Sequence, residues 1–235
     1  MISPQLQSLS IGFPVYGDEG TVERVAMKAL TIGKAVAVPF EVIIVDDGSP
    51  DRSGEIADAL AGVHPEIRVV HHGKNLGYGH AFKSVLRNSR YEWIALTDGD
   101  DQYDLLDLKD LIRVTHRYDL IITFRYKKIY STLRIFLSWL YNVVLRFLFR
   151  TPFRDVSTGL RLVHRSVINA VELESDGNII GAELAIRAML CGFAVGEVGI
   201  KTFPRTFGES SSVKSRHISK ALAEIVKMYR SIFRI

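Results

Sequence analysis

Apolar residues in the first half of the chain come in short runs, each followed by a stretch with a helical period. Residues 9–15, 41–45, 67–70, 93–97 and 120–124 are such runs, and their length and continuity predict strands buried on both faces. Residues 21–38, 51–60, 79–89 and 105–115 carry helical spacing between them. In the first of these, Val22, Val25, Ala26, Ala29 and Leu30 share one face. Strand and helix in alternation predict βαβ units, an α/β fold and a mostly parallel sheet flanked by helices. Right-handed crossovers then bring the loop after each strand to one sheet edge, where open α/β sheets bind ligands.

The period changes after Arg125. Residues 135–149 are almost continuously apolar, with Arg134, Arg146 and Arg150 at the ends of the run. The longest uncharged stretch, residues 135–145, is shorter than the roughly 20 residues that a bilayer crossing takes. Such a helix either packs in a core or lies in a membrane interface. Residues 215–235 repeat the theme: Ile218, Leu222, Ile225, Val226, Tyr229, Ile232 and Phe233 fall at helical spacing, with Arg216, Lys220, Lys227, Arg230 and Arg234 among them. A basic amphipathic helix suits a membrane surface and also suits covering a core. The composition of residues 208–212, Gly-Glu-Ser-Ser-Ser, predicts a mobile loop.

Apolar residues make up 47% of the 235 and charged residues 24%, which is globular composition and excludes a disordered or collagen-like chain. The single cysteine, Cys191, excludes an intrachain disulfide and a Cys-rich zinc site. Its apolar surroundings predict a core position rather than a nucleophile. The first residues show neither a basic region nor a long apolar stretch, so no signal peptide is expected, and a reducing compartment fits. The net charge of +4 hides an asymmetry. Residues 1–110 hold 10 Lys/Arg and 17 Asp/Glu, and residues 111–235 hold 20 and 9. The acidic half suits a metal or sugar hydroxyls, and the basic half suits phosphates or an anionic surface.

Three clusters of polar residues each follow a predicted strand. Asp98-Gly99-Asp100 places two carboxylates one residue apart, where both can meet one divalent cation, and Gln102 adds a further oxygen. A solvated turn capping the next helix is the plain alternative. Asp46-Asp47-Gly48-Ser49 offers carboxylates to a base N–H or to ribose hydroxyls, and Gly48 permits a tight turn. Pro14-Val15-Tyr16-Gly17-Asp18 offers an aromatic ring to a base or ribose. No Gly-x-Gly-x-x-Gly follows the first strand and no Gly-x-x-x-x-Gly-Lys-[Ser/Thr] occurs, so a dinucleotide dehydrogenase and a P-loop enzyme are disfavoured. The seven histidines show no metal-ligand spacing, and His71-His72 reads as a strand end. No Ser/His/Asp relay is evident, and the basic residues form no nucleic-acid-reading motif.

Taken in order, Pro14/Tyr16/Asp18, Asp46/Asp47/Gly48/Ser49, Asn75/Gly77 and Asp98/Asp100 resemble the family-2 glycosyltransferases of the GT-A fold, a Rossmann-like nucleotide-diphospho-sugar transferase architecture. The run from Lys74 to Ala81 is similar to that family's loop before its third helix. The second half resembles the polyprenyl-phosphate glycosyltransferases, the group that includes dolichyl-phosphate mannose synthases. That likeness rests on Thr123-Phe124-Arg125-Tyr126, Asp155-Val156-Ser157-Thr158-Gly159-Leu160-Arg161, Gly181-Ala182-Glu183, and residues 196–200 leading to Arg205-Thr206-Phe207-Gly208-Glu209-Ser210. Departures are Gly17 for the usual Asn, Gly199 for Pro, and Gly99 for the commoner Ala.

The resemblance implies one GT-A catalytic domain. Residues 1–125 would form its nucleotide-sugar half, 126–214 its acceptor half, and 215–235 an amphipathic helix. It implies a nucleotide sugar of GDP-mannose or UDP-glucose type at Pro14, Tyr16, Asp18, Asp46, Asp47, Lys74, Asn75, Gly77 and Gly99. Mg²⁺ or Mn²⁺ would sit at Asp98, Asp100 and Gln102. A polyprenyl phosphate would be the acceptor, held by Arg125, Arg134, Arg205 and Ser210, for inverting transfer at the cytoplasmic membrane face. Many members of the group continue into transmembrane segments, which leaves room for a membrane-anchoring partner. Asp155 and Glu183 are the remaining candidate catalytic acids. Asp155 can hold a sugar hydroxyl, orient Arg161 or cap the turn at Thr158-Gly159; Glu183 can form a surface ion pair with Arg187. A saccharide or protein acceptor is the alternative, and it would need one of these two acids as a base.

Overall fold

The computed structural model describes residues 6–36, 38–126, 132–204 and 215–233. Seven strands form one sheet: β1 (Leu9–Val15), β2 (Phe40–Asp46), β3 (Ile67–His71), β4 (Trp93–Leu96), β5 (Leu120–Arg125), β6 (Arg161–His164) and β7 (Val195–Ile200). Their order is β3-β2-β1-β4-β6-β5-β7. All run parallel except β6, which lies antiparallel between β4 and β5. The helices are α1 (Val22–Val36), α2 (Ser53–Val63), α3 (Tyr78–Asn88), α4 (Leu108–Arg113), α5 (Thr132–Phe149), α6 (Arg165–Ala170), α7 (Ile180–Leu190) and α8 (Ser215–Phe233).

The buried runs of the sequence alternate between two cores, as a period of two requires. On one face Val42 and Ile44 of β2 and Trp93 and Ala95 of β4 pack with α1 and α4. On the other, Ile43, Val45, Ile94 and Leu96 pack with α3 and α7. The second face also receives Leu145 and Phe149 from α5 and Ile225 and Met228 from α8. One side of α8 therefore covers the core, while Leu222 and Val226 stay exposed.

Several expectations are refined. The segment expected as one helix over 105–115 is a 3-10 turn at Leu105–Asp107 followed by α4, with the Asp104 carboxylate accepting the Leu106 N–H. β6 escapes a reading by periodicity because four residues between a loop and a short helix carry no period. β7 reads Val-Gly-Glu-Val-Gly-Ile, and its glycines are places where rings lie against the backbone. A Cβ at Gly199 would stand 2.2 Å from the Tyr126 ring, which explains a glycine there. Cys191 is exposed, not buried in the core: α7 stops at Leu190, Cys191 caps it, and Gly192 turns away with φ of 85°.

Candidate active site

The ends of β1, β2 and β4 are adjacent in the sheet, so topology alone brings the first three polar clusters to one edge. Tight contacts lock the first and third together. A Cβ at Gly99 would stand 2.7 Å from the Pro14 carbonyl oxygen, so the residue between Asp98 and Asp100 has room only for hydrogen. The Thr21 hydroxyl donates to the Gly99 carbonyl at 2.7 Å. Asp18 shapes the turn after β1: its carboxylate accepts the Tyr16 N–H at 3.1 Å, and its carbonyl accepts the N–H groups of Thr21 and Val22 as α1 begins. The Tyr16 ring is left half-exposed at this edge.

Asp46 and Asp47 are buried and are engaged by the chain itself. Asp46 Oδ1 accepts the Ser49 N–H at 2.9 Å, and Oδ2 lies 3.0 Å from His71 Nδ1. Burial pushes the Asp46 carboxyl up, but the Ser49 hydroxyl and N–H and His71 together hold it below the ordinary carboxylate range. Asp47 accepts the N–H groups of Leu76 and Gly77 at 3.0 and 2.9 Å, and His72 Nδ1 lies 2.6 Å from it. That carboxylate therefore fixes the loop of Lys74, Asn75 and Gly77, whose first two members are exposed. Gly48, at φ of 68°, packs so closely on this loop that a Cβ would stand 2.8 Å from the Asn75 nitrogen.

At the end of β4 the two acids differ. Asp98 Oδ1 accepts the Tyr78 hydroxyl at 2.9 Å, and its Oδ2 occupies the space where a Cβ of Gly159 would stand. Burial, then the Asp98 charge, pushes the Tyr78 phenol well above its ordinary value, so it stays a donor. Asp100 is buried and accepts the N–H and the side-chain amide of Gln102, at 3.2 and 2.7 Å. Gln102 thus orients Asp100. Asp101, at φ of 57°, turns to the other side and pairs with Arg24 and Lys28. Among the described residues no three His, Cys, Asp or Glu side chains converge as a metal cluster.

The acids of the second half are built into the fold. Asp155 is buried, and Arg125 meets its Oδ2 through Nε at 2.9 Å and Nη2 at 2.8 Å. Its Oδ1 accepts the Ser157 hydroxyl at 2.6 Å and the Ser157 N–H. Of the roles expected for Asp155, it holds the turn at Ser157, before the expected Thr158-Gly159, and the arginine it orients is Arg125 rather than Arg161. Asn142 of α5 ties that helix to the same loop by accepting the Val156 N–H. Arg161 donates to the Thr158 carbonyl and lies 5.5 Å from the Phe82 ring centroid. Glu183 is fully buried, which corrects the expectation of a surface ion pair. It accepts the N–H groups of Glu174 and Ser175 and pairs with Arg187 at 2.8 Å. The Arg134 side chain, Arg205, Ser210 and the 208–212 loop lie outside the described residues.

Tyr78 and Asn142, with His71 and His72 at and just past the end of β3, join the site beyond the residues expected from the sequence. Only Tyr78 and the histidines carried a signal, as polar or aromatic residues at the very ends of elements. α5 turns Leu133, Phe136, Trp139 and Leu140 outward, with Phe136 54% and Trp139 53% exposed. No helix among the described residues is long and apolar enough to cross a membrane.

Residues 10–171 match the model of the family described as Glycosyl transferase family 2. The undecaprenyl-phosphate mannosyltransferase of Micrococcus luteus is 28% identical over 203 residues, which cover 81% of this chain and 84% of that protein. The polyprenol monophosphomannose synthase of Mycolicibacterium smegmatis is 30% identical over 200 residues, covering 79% and 75%. Among solved structures, glucosyl-3-phosphoglycerate synthase from Mycobacterium tuberculosis in complex with Mn²⁺, UDP and phosphoglyceric acid superposes with a TM-score of 0.76. It is 16% identical, over 95% of this chain and 78% of that one.

Proposed function

The chain belongs to glycosyl transferase family 2, and we propose that it carries one sugar from a nucleotide-sugar donor to the phosphate of a polyprenyl lipid. The observation that carries the acceptor is the outward apolar face of α5, tied through Asn142 to the Asp155 loop beside Arg125. Exposed tryptophan, phenylalanine and leucine on one helix face suit a bilayer interface. Both relatives compared above are named for transfer to a lipid phosphate. Docking through α5 would place the enzyme peripherally, at the cytoplasmic face, with its β-strand ends facing the lipid headgroups.

The donor lies along the acidic edge in this reading. Tyr16 offers its ring to the base or ribose, the Asp46–Ser49 turn shapes that pocket, and the loop held by Asp47 closes its side. Asp98 and Asp100, hard oxygens one residue apart at a strand end, fit Mg²⁺ or Mn²⁺, with Gln102 orienting Asp100. Such a cation, when bound, offsets the charge of the departing nucleoside diphosphate. The acceptor phosphate oxygen forms the new bond to the anomeric carbon from the face opposite the breaking bond to the diphosphate, which inverts the centre. A phosphate is already anionic at neutral pH, so no carboxylate base is required. Arg125, with Arg134, Arg205 and Ser210, is assigned to the acceptor phosphate, for which guanidinium forks are suited.

The test is product transfer. Purified protein is incubated with Mg²⁺ or Mn²⁺, a panel of UDP- and GDP-sugars and vesicles holding polyprenyl phosphate, and the lipid phase is analysed by mass spectrometry. A metal-dependent gain of one sugar is expected. Metal-dependent nucleotide release without a lipid product would refute the lipid acceptor and favour a saccharide or protein one.

A further inference from the structure

His71 at the end of β3 and His72 just beyond it hold, respectively, Asp46 at the end of β2 and Asp47 just beyond it, and they do so differently. His72 lies between Asp47 and the Ser84 hydroxyl, at 2.6 and 2.8 Å. A neutral ring meets both, because a hydroxyl can donate to the unprotonated nitrogen. His71 lies between two carboxylates: Nδ1 is 3.0 Å from Asp46 Oδ2, and Nε2 is 2.9 Å from Asp58 Oδ1 of α2. A carboxylate only accepts, so only the imidazolium, with two N–H donors, satisfies both. α2 is built to allow this approach. A Cβ at Gly54 would stand 2.7 Å from Asp46 Oδ2 and 3.4 Å from His71 Cε1.

We propose that His71 is a positioning residue for the nucleotide donor: as the imidazolium it clamps Asp46 to Asp58 of α2, and its protonation sets how tightly the donor is held. The inference rests on the reading of the β2 end as part of the donor pocket. Asp46 Oδ1 shapes the Gly48-Ser49 turn through the Ser49 N–H. The Ser49 hydroxyl in turn meets the Gly17 N–H of the first cluster. When His71 loses its second proton, one of its two carboxylates faces a lone pair, and the pocket wall loses a fixed anchor. The groups facing the ring are Asp46 from β2 and Asp58 from α2. Hydrogen bonds to Asp58 first and Asp46 second raise the His71 pKa against the opposing effect of burial. The charged clamp is therefore complete at lower pH and is lost as pH rises through that raised value.

Asp58 is exposed and lies on the far side of His71 from the pocket, which makes it the informative position. In Asp58→Asn the amide can donate to a neutral Nε2, leaving Nδ1–H for Asp46, so the neutral ring becomes competent. Calorimetry would follow binding of GDP and UDP with Mg²⁺ from pH 6 to 9, while NMR follows the His71 ring. Natural-sequence protein is expected to lose about two- to tenfold in affinity across the His71 titration. Asp58→Asn should keep its low-pH affinity to the top of the range, with the His71 titration shifted to lower pH. His71→Gln should give a flat profile. Equal profiles for the natural sequence and Asp58→Asn, with nucleotide bound in both, would overturn the clamp alone. No nucleotide binding at any pH would remove the donor-pocket reading, and the clamp's role with it.

Discussion

Adding one methyl group at Gly159 should disable the site without unfolding the protein. A Cβ there would stand 2.2 Å from Asp98 Oδ2 and 2.5 Å from its Cγ, well inside any real contact. The backbone at Gly159 is held from both sides. Its N–H donates to the Tyr103 hydroxyl at 2.8 Å, and on either side of it the Thr158 hydroxyl donates to the Thr123 carbonyl and the Thr123 hydroxyl to the Leu160 carbonyl, each at 2.7 Å. Asp98 must therefore yield, by about 1 Å, and a misplacement of that size at a reacting centre costs roughly a hundredfold in rate. The movement also takes the carboxylate from the Tyr78 hydroxyl. Leaving a buried hydroxyl unpaired costs about 1–3 kcal/mol, which for a chain of this size lowers Tm by roughly 2–12 °C. The assay is kcat/KM for metal-dependent sugar transfer beside thermal unfolding of the same preparation. Gly62→Ala is the control: nothing lies within 4 Å of a Cβ there, and the helix α2 should gain about 0.5–1 kcal/mol with activity unchanged. Full activity in Gly159→Ala would refute the assignment of Asp98 to the donor site.

Other substitutions separate roles in the same way. Glu183→Gln leaves Arg187 without its buried partner and should cost about 3 kcal/mol. Its kcat/KM should hold in the folded fraction, and a loss of turnover with an unchanged Tm would make Glu183 catalytic instead. Burial first, then the charges of Asp104 and Asp110, push the Asp107 carboxyl from 3.8 up to about 6. Ionising it thus penalises the folded state, not at all near pH 3 and fully above pH 6. Discounted for solvent exposure, Asp107→Asn should add about 1–2 kcal/mol at pH 8 and nothing at pH 3.5 in denaturant titrations. Replacing Phe136 and Trp139 together by Ser should weaken flotation with anionic vesicles by about tenfold or more. Unchanged flotation would remove α5 from the docking surface.

The first half of the chain was legible because its local signals agree. Short apolar runs such as 42–45, alternating with helical spacing, read as strands buried on both faces, and the acids that follow 9–15, 41–45 and 93–97 mark one sheet edge. What the sequence could not show is which acids already have partners. Neither the loop partners of Asp47 nor the buried backbone partners of Glu183 can be read from the sequence, which offers Glu183 only Arg187 one turn away. One fixes a loop through two N–H groups and the other anchors the Glu174-Ser175 backbone from inside the core. Those partners lie 8 to 30 residues away, beyond any helical or strand period. The antiparallel β6 was hidden for a related reason: its place is dictated by β4 and β5, not by its own four residues.

Arg125 poses the sharpest question of this kind, because its guanidinium already has an anion. With side-chain exposures of 7% and 4%, Arg125 and Asp155 form a buried pair at the end of β5. Removing either partner alone strands the other charge, at about 3–5 kcal/mol. A failing Arg125→Gln variant would therefore say little about phosphate. The neutral double substitution Arg125→Gln with Asp155→Asn is the discriminating one. An amide pair can keep the Ser157 N–H contact and a bond between positions 125 and 155, so most of the lost stability should return. If Arg125 meets the acceptor phosphate, turnover of polyprenyl phosphate should stay low in that stable double variant, while nucleotide binding is unaffected. Turnover that recovers together with stability would show that Arg125 serves only to neutralise Asp155. The acceptor phosphate would then fall to Arg134, Arg205 and Ser210.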